Sequence, residues 1–289
     1  MCHITALLRA LFRPVAHRMS GTLASTLWPL SYRHRTGSRF LANGSVRMNA
    51  HAPSVHLTGA ATLEGRQLFG QLELFMKAQN WTCLLGSSGV GKTTILRLIA
   101  GLDTAAVFDG QITATDNQPI DGRIAYMAQT DLLLPWASVM DNVCLGAHLR
   151  GNSADKAKAE AIITRVGLAA HKQKKPATLS GGQRQRAALA RTLMEDRPIV
   201  LLDEPFSALD SRTRSEMQEL ASEMLTGRTI LLVTHDPGEA ARLGHAIYIM
   251  SSQGLETTAS LPPPLPRSFA DKDVLALQST LLKQLRSAG

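Results

Sequence analysis

Gly86, Ser87, Ser88, Gly89, Val90, Gly91, Lys92, Thr93 and Thr94 satisfy the pattern of a glycine, four residues, then Gly-Lys-Thr. Glycines at this spacing let the backbone curl around a phosphate, while successive N–H groups and a following helix N-terminus point at its negative charge. Lys92 is placed to reach terminal phosphates, and the Thr93 hydroxyl to complete the shell of a Mg²⁺ ion. A second chemical signal is "PIVLLDEP", residues 198–205, an apolar strand ending in two acids. A carboxylate at the end of a buried parallel strand suits the metal, which is the role expected of Asp203. Glu204, one residue on, is expected to act as the general base that accepts a proton from an attacking water. Alone, either motif has a plain alternative: a glycine-rich turn with a chance lysine, or two acids exposed at a strand end.

The elements around these residues argue against chance. "WTCLLG" reads as a strand before the glycine loop, and "KTTILRLIAG" as the helix after it, with Ile95, Leu96 and Ile99 on one face and Gly101 as the stop. "RIAYM", "PIVLLD" and "TILLVT" are continuous apolar runs, predicted as the central strands of a parallel sheet covered on both faces. Residues 138–175 read as helical, and "SGGQRQRAALARTLMED" as a further helix. The prolines of "LPPPLPRS" break regular structure before a last amphipathic helix over 270–286. Short strands alternating with amphipathic helices predict an α/β domain.

Of 289 residues, 44% are apolar and 19% charged, which suits one globular catalytic domain and excludes a fibre or a random chain. The apolar runs fall far short of the ~20 residues a bilayer-spanning helix needs. Cys2, Cys83 and Cys144 are too few for a disulfide framework and read as reduced thiols, two of them in the core. The formal charge of +8 resembles a nucleic-acid signature until it is located. Arg9, Arg13, Arg18, Arg33, Arg35, Arg39 and Arg47 lie in residues 1–53 with no lysine or acid, leaving a nearly neutral remainder, so no nucleic-acid partner is expected. Residues 1–53 are expected to be a disordered basic extension. An organellar presequence and a start assigned too far upstream compete; Met48, just before the first domain-like strand, favours the second. The domain is expected over 54–255, followed by a Pro-rich tail and short helix over 256–289.

A third motif is "LSGGQRQR", residues 179–186, lying in chain order between the other two. Alone it is a Ser-Gly-Gly turn capping a helix. In this order the chain resembles the nucleotide-binding subunits of ABC transporters over residues 57–250, with the signature complete at Leu179, Ser180, Gly181, Gly182 and Gln183. The resemblance implies a P-loop NTPase of the ABC type: a mainly parallel sheet, a small antiparallel β subdomain, and a helical subdomain carrying the signature. It implies ATP and Mg²⁺ as cofactors and a homodimer in which Ser180 to Gln183 grip ATP bound to the opposing copy. It also assigns Gln129 to the loop that contacts Mg²⁺ and attacking water, Asp210 to a loop crossing the dimer interface, and His235 to the switch near the γ-phosphate. One feature departs from the family. The aromatic residue that stacks on adenine, about 29 positions before Lys92, is Leu63 here, and the nearest aromatic is Phe69.

The segment "QTDLLLPWASVMDNVCLG", residues 129–146, resembles importers of the nitrate, sulfonate and taurine group. "RTLMEDRPIVLLDEPFSALD" resembles the related hydroxymethylpyrimidine (thiamine precursor) branch. The resemblance thus implies an ATPase on the cytoplasmic face of the inner membrane, partnered by two transmembrane permease subunits and a periplasmic solute-binding protein. The competing reading is an ABC-type ATPase of DNA repair or translation. DNA-repair members insert a long coiled coil between phosphate loop and signature, and ribosome-associated members carry two ATPase domains per chain.

Overall fold

The computed structural model describes residues 52–251 and 254–288. The expected basic extension, with Met48 and Cys2, lies outside these residues except for its last two. Ala52 is buried, and the Pro53 carbonyl accepts a 2.7 Å hydrogen bond from Thr229 Oγ1. Both therefore belong to the packed unit that composition alone started at residue 54.

Three strands form an antiparallel sheet in the order β2-β1-β4: β1 (Val55–Leu63), β2 (Arg66–Met76) and β4 (Ala106–Ala114). Along β1 buried residues alternate with half-buried ones from Val55 to Ala61, the period of a strand with one covered face. The larger sheet contains β3 (Trp81–Gly86), β5 (Ile124–Met127), β6 (Ile199–Asp203), β7 (Thr229–Val233), β8 (Ala246–Ser251) and β9 (Gly254–Thr258), in the order β5-β6-β7-β3-β8-β9. It is parallel except for the β8–β9 pair.

The continuous apolar runs now have a physical account. Val200 and Leu202 of β6 pack into one core, while Ile199 and Leu201 pack into another on the opposite face. Ile230 and Leu232 of β7 divide from Leu231 and Val233 in the same way. Period-two side chains serve two covered faces, so polar residues fall only at the strand ends, Thr229 at the start of β7 and Asp203 at the end of β6. Each such burial contributes about 1.5–3 kcal/mol. The expectation that "RIAYM" is central is corrected: among the described residues β5 pairs only with β6 and forms an edge. An apolar run reports covered faces and carries no information about lateral neighbours.

The helices are α1 (Lys92–Ile99), α2 (Val139–Val143), α3 (Leu145–Leu149), α4 (Lys156–Arg165), α5 (Gly181–Met194), α6 (Ser211–Met224), α7 (Pro237–Leu243) and α8 (Lys272–Ala288). The helical expectation over 138–175 resolves into α2, α3, α4 and a 3₁₀ turn at Ala169–His171. Helix α8 bears out the expected last helix, and the described part of 256–289, residues 256–288, packs onto the domain. Val274 and Leu281 enter the main core, and Arg267 donates to the carbonyls of Ala241 at 2.7 Å and Gly244 at 3.0 Å. Cys83 and Cys144 are free thiols in the core, as expected.

Candidate functional site

The order β5-β6-β7-β3 sets four strand ends side by side, and the chemistry sits on the residues that follow them. Ligand sites in parallel sheets form at these carboxyl ends. Gly86 closes β3 where an added Cβ would stand 2.6 Å from the Met250 carbonyl, so only glycine fits. Gly91, at φ 107°, caps α1 without a side-chain hydrogen bond, leaving the first-turn N–H groups for an anion. Lys92 is 7% exposed, and its Nζ donates to the carbonyls of Gly86 at 2.8 Å and Ser87 at 2.7 Å. An ammonium has three protons, so one remains to meet a phosphate oxygen. Burial pushes the Lys92 ammonium below its ordinary pKa, against the opposing pull of Glu204 and Asp203.

Asp203 ends β6 and is buried, and its Oδ2 has no hydrogen-bond partner. Burial raises its pKa to about 6, opposed by a hydrogen bond from Thr93 and the charge of Lys92, while Glu204 adds to the rise. A buried, unpartnered carboxylate oxygen beside a hydroxyl is what a hard cation takes, so Thr93 and Asp203 fit Mg²⁺. Among the described residues no group of three or more His, Cys, Asp or Glu forms a metal cage.

Glu204 follows at φ 48°, in the left-handed region, which turns its side chain away from the strand's path. Its N–H donates to the Val233 carbonyl at 2.9 Å. Its Oε2 accepts from Gln129 Nε2 at 3.2 Å, and its Oε1 lies 3.2 Å from His235 Nδ1. At that distance the two form an ion pair when the imidazole is protonated. Gln129, Glu204 and His235 are thus gathered from the ends of β5, β6 and β7.

The signature lies elsewhere. Ser180 caps α5 in a reciprocal box with Gln183, and an added Cβ on Gly182 would stand 3.4 Å from the Ala208 carbonyl. Among the described residues no hydrogen bond joins Ser180, Gly181, Gly182 or Gln183 to the phosphate loop. Asp210 caps α6, its Oδ1 accepting from Thr213 N–H at 3.1 Å, and that hydrogen bond holds its pKa below the usual range. Leu63 is 37% exposed at the end of β1, whereas Phe69 is 1% exposed and packs beneath Gly91. Phe69 therefore offers no ring face to a base.

Two residues escaped the motif reading. Gln185, two positions past the signature, donates through Nε2 to the Glu204 carbonyl at 3.0 Å and to Ser207 Oγ at 3.3 Å, and its Oε1 accepts from Ala208 N–H at 2.9 Å. Glu239 on α7 is buried and accepts from Thr234 Oγ1 at 2.7 Å, bracing the residue before His235. Burial raises its pKa to about 7.

Residues 69–207 match the family model described as ABC transporter. An uncharacterized ABC transporter ATP-binding protein of Haemophilus influenzae is 44% identical over 228 residues, covering 76% of this chain and 93% of that one. The aliphatic sulfonates import ATP-binding protein SsuB 1 of Rhodococcus jostii is 40% identical over 220 residues, covering 75% and 86%. The dimeric structure of MJ0796, described as a bacterial ABC transporter cassette, has a TM-score of 0.64 at 26% identity, over 73% of this chain and all of that one. Fold and a similarity that covers about three quarters of the chain agree, and the chain belongs to the ABC transporter family as an ATP-binding, ATP-hydrolysing cassette.

Proposed function

We propose that two copies of this chain close on two ATP molecules, each held by the phosphate loop of one copy and the signature of the other. Hydrolysis then drives uptake of a small solute through two separate permease subunits served by a periplasmic solute-binding protein. The observation that carries the reading is the Glu204 carboxylate, held between Gln129 and His235 next to Asp203. In this reading Lys92 and the amides of Gly86 to Thr94 bind the phosphates, and Thr93, Asp203 and Gln129 hold Mg²⁺. The bound ion supplies neutralisation of charge on the phosphate oxygens. Glu204 takes a proton from the attacking water, Gln129 orients that water, and His235 donates toward the γ-phosphate. Ser180, Gly181, Gly182 and Gln183 of the second copy present a helix N-terminus to the same phosphate, and Asp210 lines the interface. The separation of signature and phosphate loop within one chain supports a site completed in trans.

Docking to the membrane partners falls to the segment between Gln129 and α2, where Trp136 is 64% exposed. Arg184 Nε meets Asp131 Oδ2 at 3.0 Å, and Arg191 donates to the carbonyls of Leu132 and Asp131, so this segment is tied to the signature helix. Among the described residues no helix is long and apolar enough to cross a membrane, which suits a peripheral subunit on the cytoplasmic face. For cargo, similarity to aliphatic sulfonate importers and the segment 129–146 together favour the nitrate, sulfonate and taurine group. The hydroxymethylpyrimidine branch rests on residues 191–210 alone. Glu204→Gln tests the catalytic part: ATP binding is retained and turnover falls about 10²–10⁴-fold, as for loss of a general base. An unchanged hydrolysis rate refutes the assignment.

A further inference from the structure

The cap at the start of α5 has two bonds: Gln183 N–H donates to Ser180 Oγ at 3.2 Å, and Ser180 N–H donates to Gln183 Oε1 at 2.9 Å. The second bond fixes the direction of the carboxamide. With Oε1 committed to Ser180, the amide nitrogen faces His171, and Gln183 Nε2 lies 3.1 Å from His171 Nε2. An amide nitrogen only donates, so His171 Nε2 accepts and the ring proton sits on Nδ1. His171 Nδ1 is buried and has no hydrogen-bond partner. An unpaired buried donor is destabilising, so this tautomer is held by the bond at the other nitrogen.

The backbone around the ring is braced. His171 N–H donates to the Leu168 carbonyl at 2.8 Å, and Lys174 N–H donates to the His171 carbonyl at 2.9 Å. The carbonyls of Lys172 and Lys174 accept from the N–H groups of Met140 and Val139, at the start of α2. A half-turn of the carboxamide would set donor against donor at Ser180 and would need the His171 proton moved to Nε2, so the Ser180 N–H selects the orientation and His171 anchors its other end.

We propose that His171 is a positioning residue for the signature: it orients Gln183, which holds Ser180 and the amides of Gly181 and Gly182 in the array offered to the opposing copy's nucleotide. This rests on the two-copy reading above. His171 lies twelve positions before the signature glutamine, outside the motif itself.

The test uses the full chain with three substitutions. His171→Leu removes the acceptor. His171→Asn keeps polarity, but its oxygen falls near the Nδ1 position and cannot reach Gln183. His171→Gln places an oxygen near the Nε2 position. Losing one neutral hydrogen bond should lower kcat about two- to tenfold, and weaken ATP-driven dimerisation of the chain carrying Glu204→Gln by a similar factor. ATP affinity of the separate subunit, which uses only its own phosphate loop, should stay constant, and Tm should fall by no more than about 1–6 °C. Asparagine should behave as leucine, and glutamine should restore most of both losses. The proposal is overturned if the leucine variant matches the parent in kcat and dimerisation, if glutamine is as impaired as leucine, or if Tm and subunit ATP affinity fall together with kcat. A parent Glu204→Gln chain that binds ATP and stays monomeric refutes the two-copy reading itself.

Discussion

Replacing Gln185 with methionine keeps the side chain's length and removes three hydrogen bonds at the turn that carries Glu204. The Glu204 carbonyl keeps Ser207 Oγ as a donor at 3.0 Å, so that acceptor is not orphaned. Ala208 is exposed, so its N–H can turn to water when it loses the acceptor Gln185 Oε1, and the cost is the net value of about 0.5–1.5 kcal/mol for one hydrogen bond. At about 2–4 °C per kcal/mol for a domain of this size, Tm should fall by about 1–6 °C. The catalytic effect follows from backbone conformation. Glu204 sits at φ 48°, and a non-glycine residue there persists only while its surroundings hold it. Relaxation would move the carboxylate relative to Gln129 and His235, and displacements of ~1 Å cost about 100-fold in rate. ATP affinity should not change, because β3, α1 and Lys92 are untouched. Thermal denaturation, steady-state ATPase kinetics and an equilibrium ATP titration on one preparation check all three. An unchanged Tm with unchanged kcat would refute the assignment of Gln185 as the support of Glu204.

Leu63→Tyr should tighten ATP binding by about 5- to 150-fold, from the ~1–3 kcal/mol of base–aromatic stacking. GTP should gain similarly, since any base has a stacking face; calorimetric titration showing no gain for either would place the base elsewhere. Glu239 has a folded pKa of about 7 against an ordinary value of 4.5, so between these pH values the unfolded chain loses its proton first. Its contribution to stability is therefore present below about pH 4.5 and lost as pH rises toward 7. Glu239→Gln should remove that part of the decline, and parallel Tm–pH curves for the two proteins would contradict the burial argument.

Much of the site was legible because its chemistry is carried by short contiguous motifs at strand ends. Gly86 to Thr94 needed only a strand before and a helix after, and the runs ending at Asp203 and Val233 announced strands with two covered faces. What escaped depends on contacts distant in sequence. Gln185 reaches a carbonyl 19 residues away, a bond set by how α5 lies against the end of β6. The edge position of β5 is a fact about lateral neighbours, and apolar content does not encode it. Phe69 and Leu63 lie close in sequence, yet strand alternation and the roof of the phosphate loop bury the aromatic one and expose the other. The C-terminal segment read as an appendage because its prolines exclude regular structure. Its anchoring comes from Arg267, whose donors find carbonyls only after α7 and β8 have formed.

The trans arrangement is tested most directly by mixing two crippled chains, Lys92→Ala and Ser180→Phe, each expected to be inactive alone. In a mixed dimer, one site combines the intact phosphate loop of the Ser180→Phe chain with the intact signature of the Lys92→Ala chain. The account predicts that mixing restores ATP hydrolysis that neither chain shows by itself, with a rate that falls on dilution as dimers separate. A mixture that stays inactive although both chains bind one another, or a Ser180→Phe chain that hydrolyses ATP at the full rate as a monomer, would contradict it.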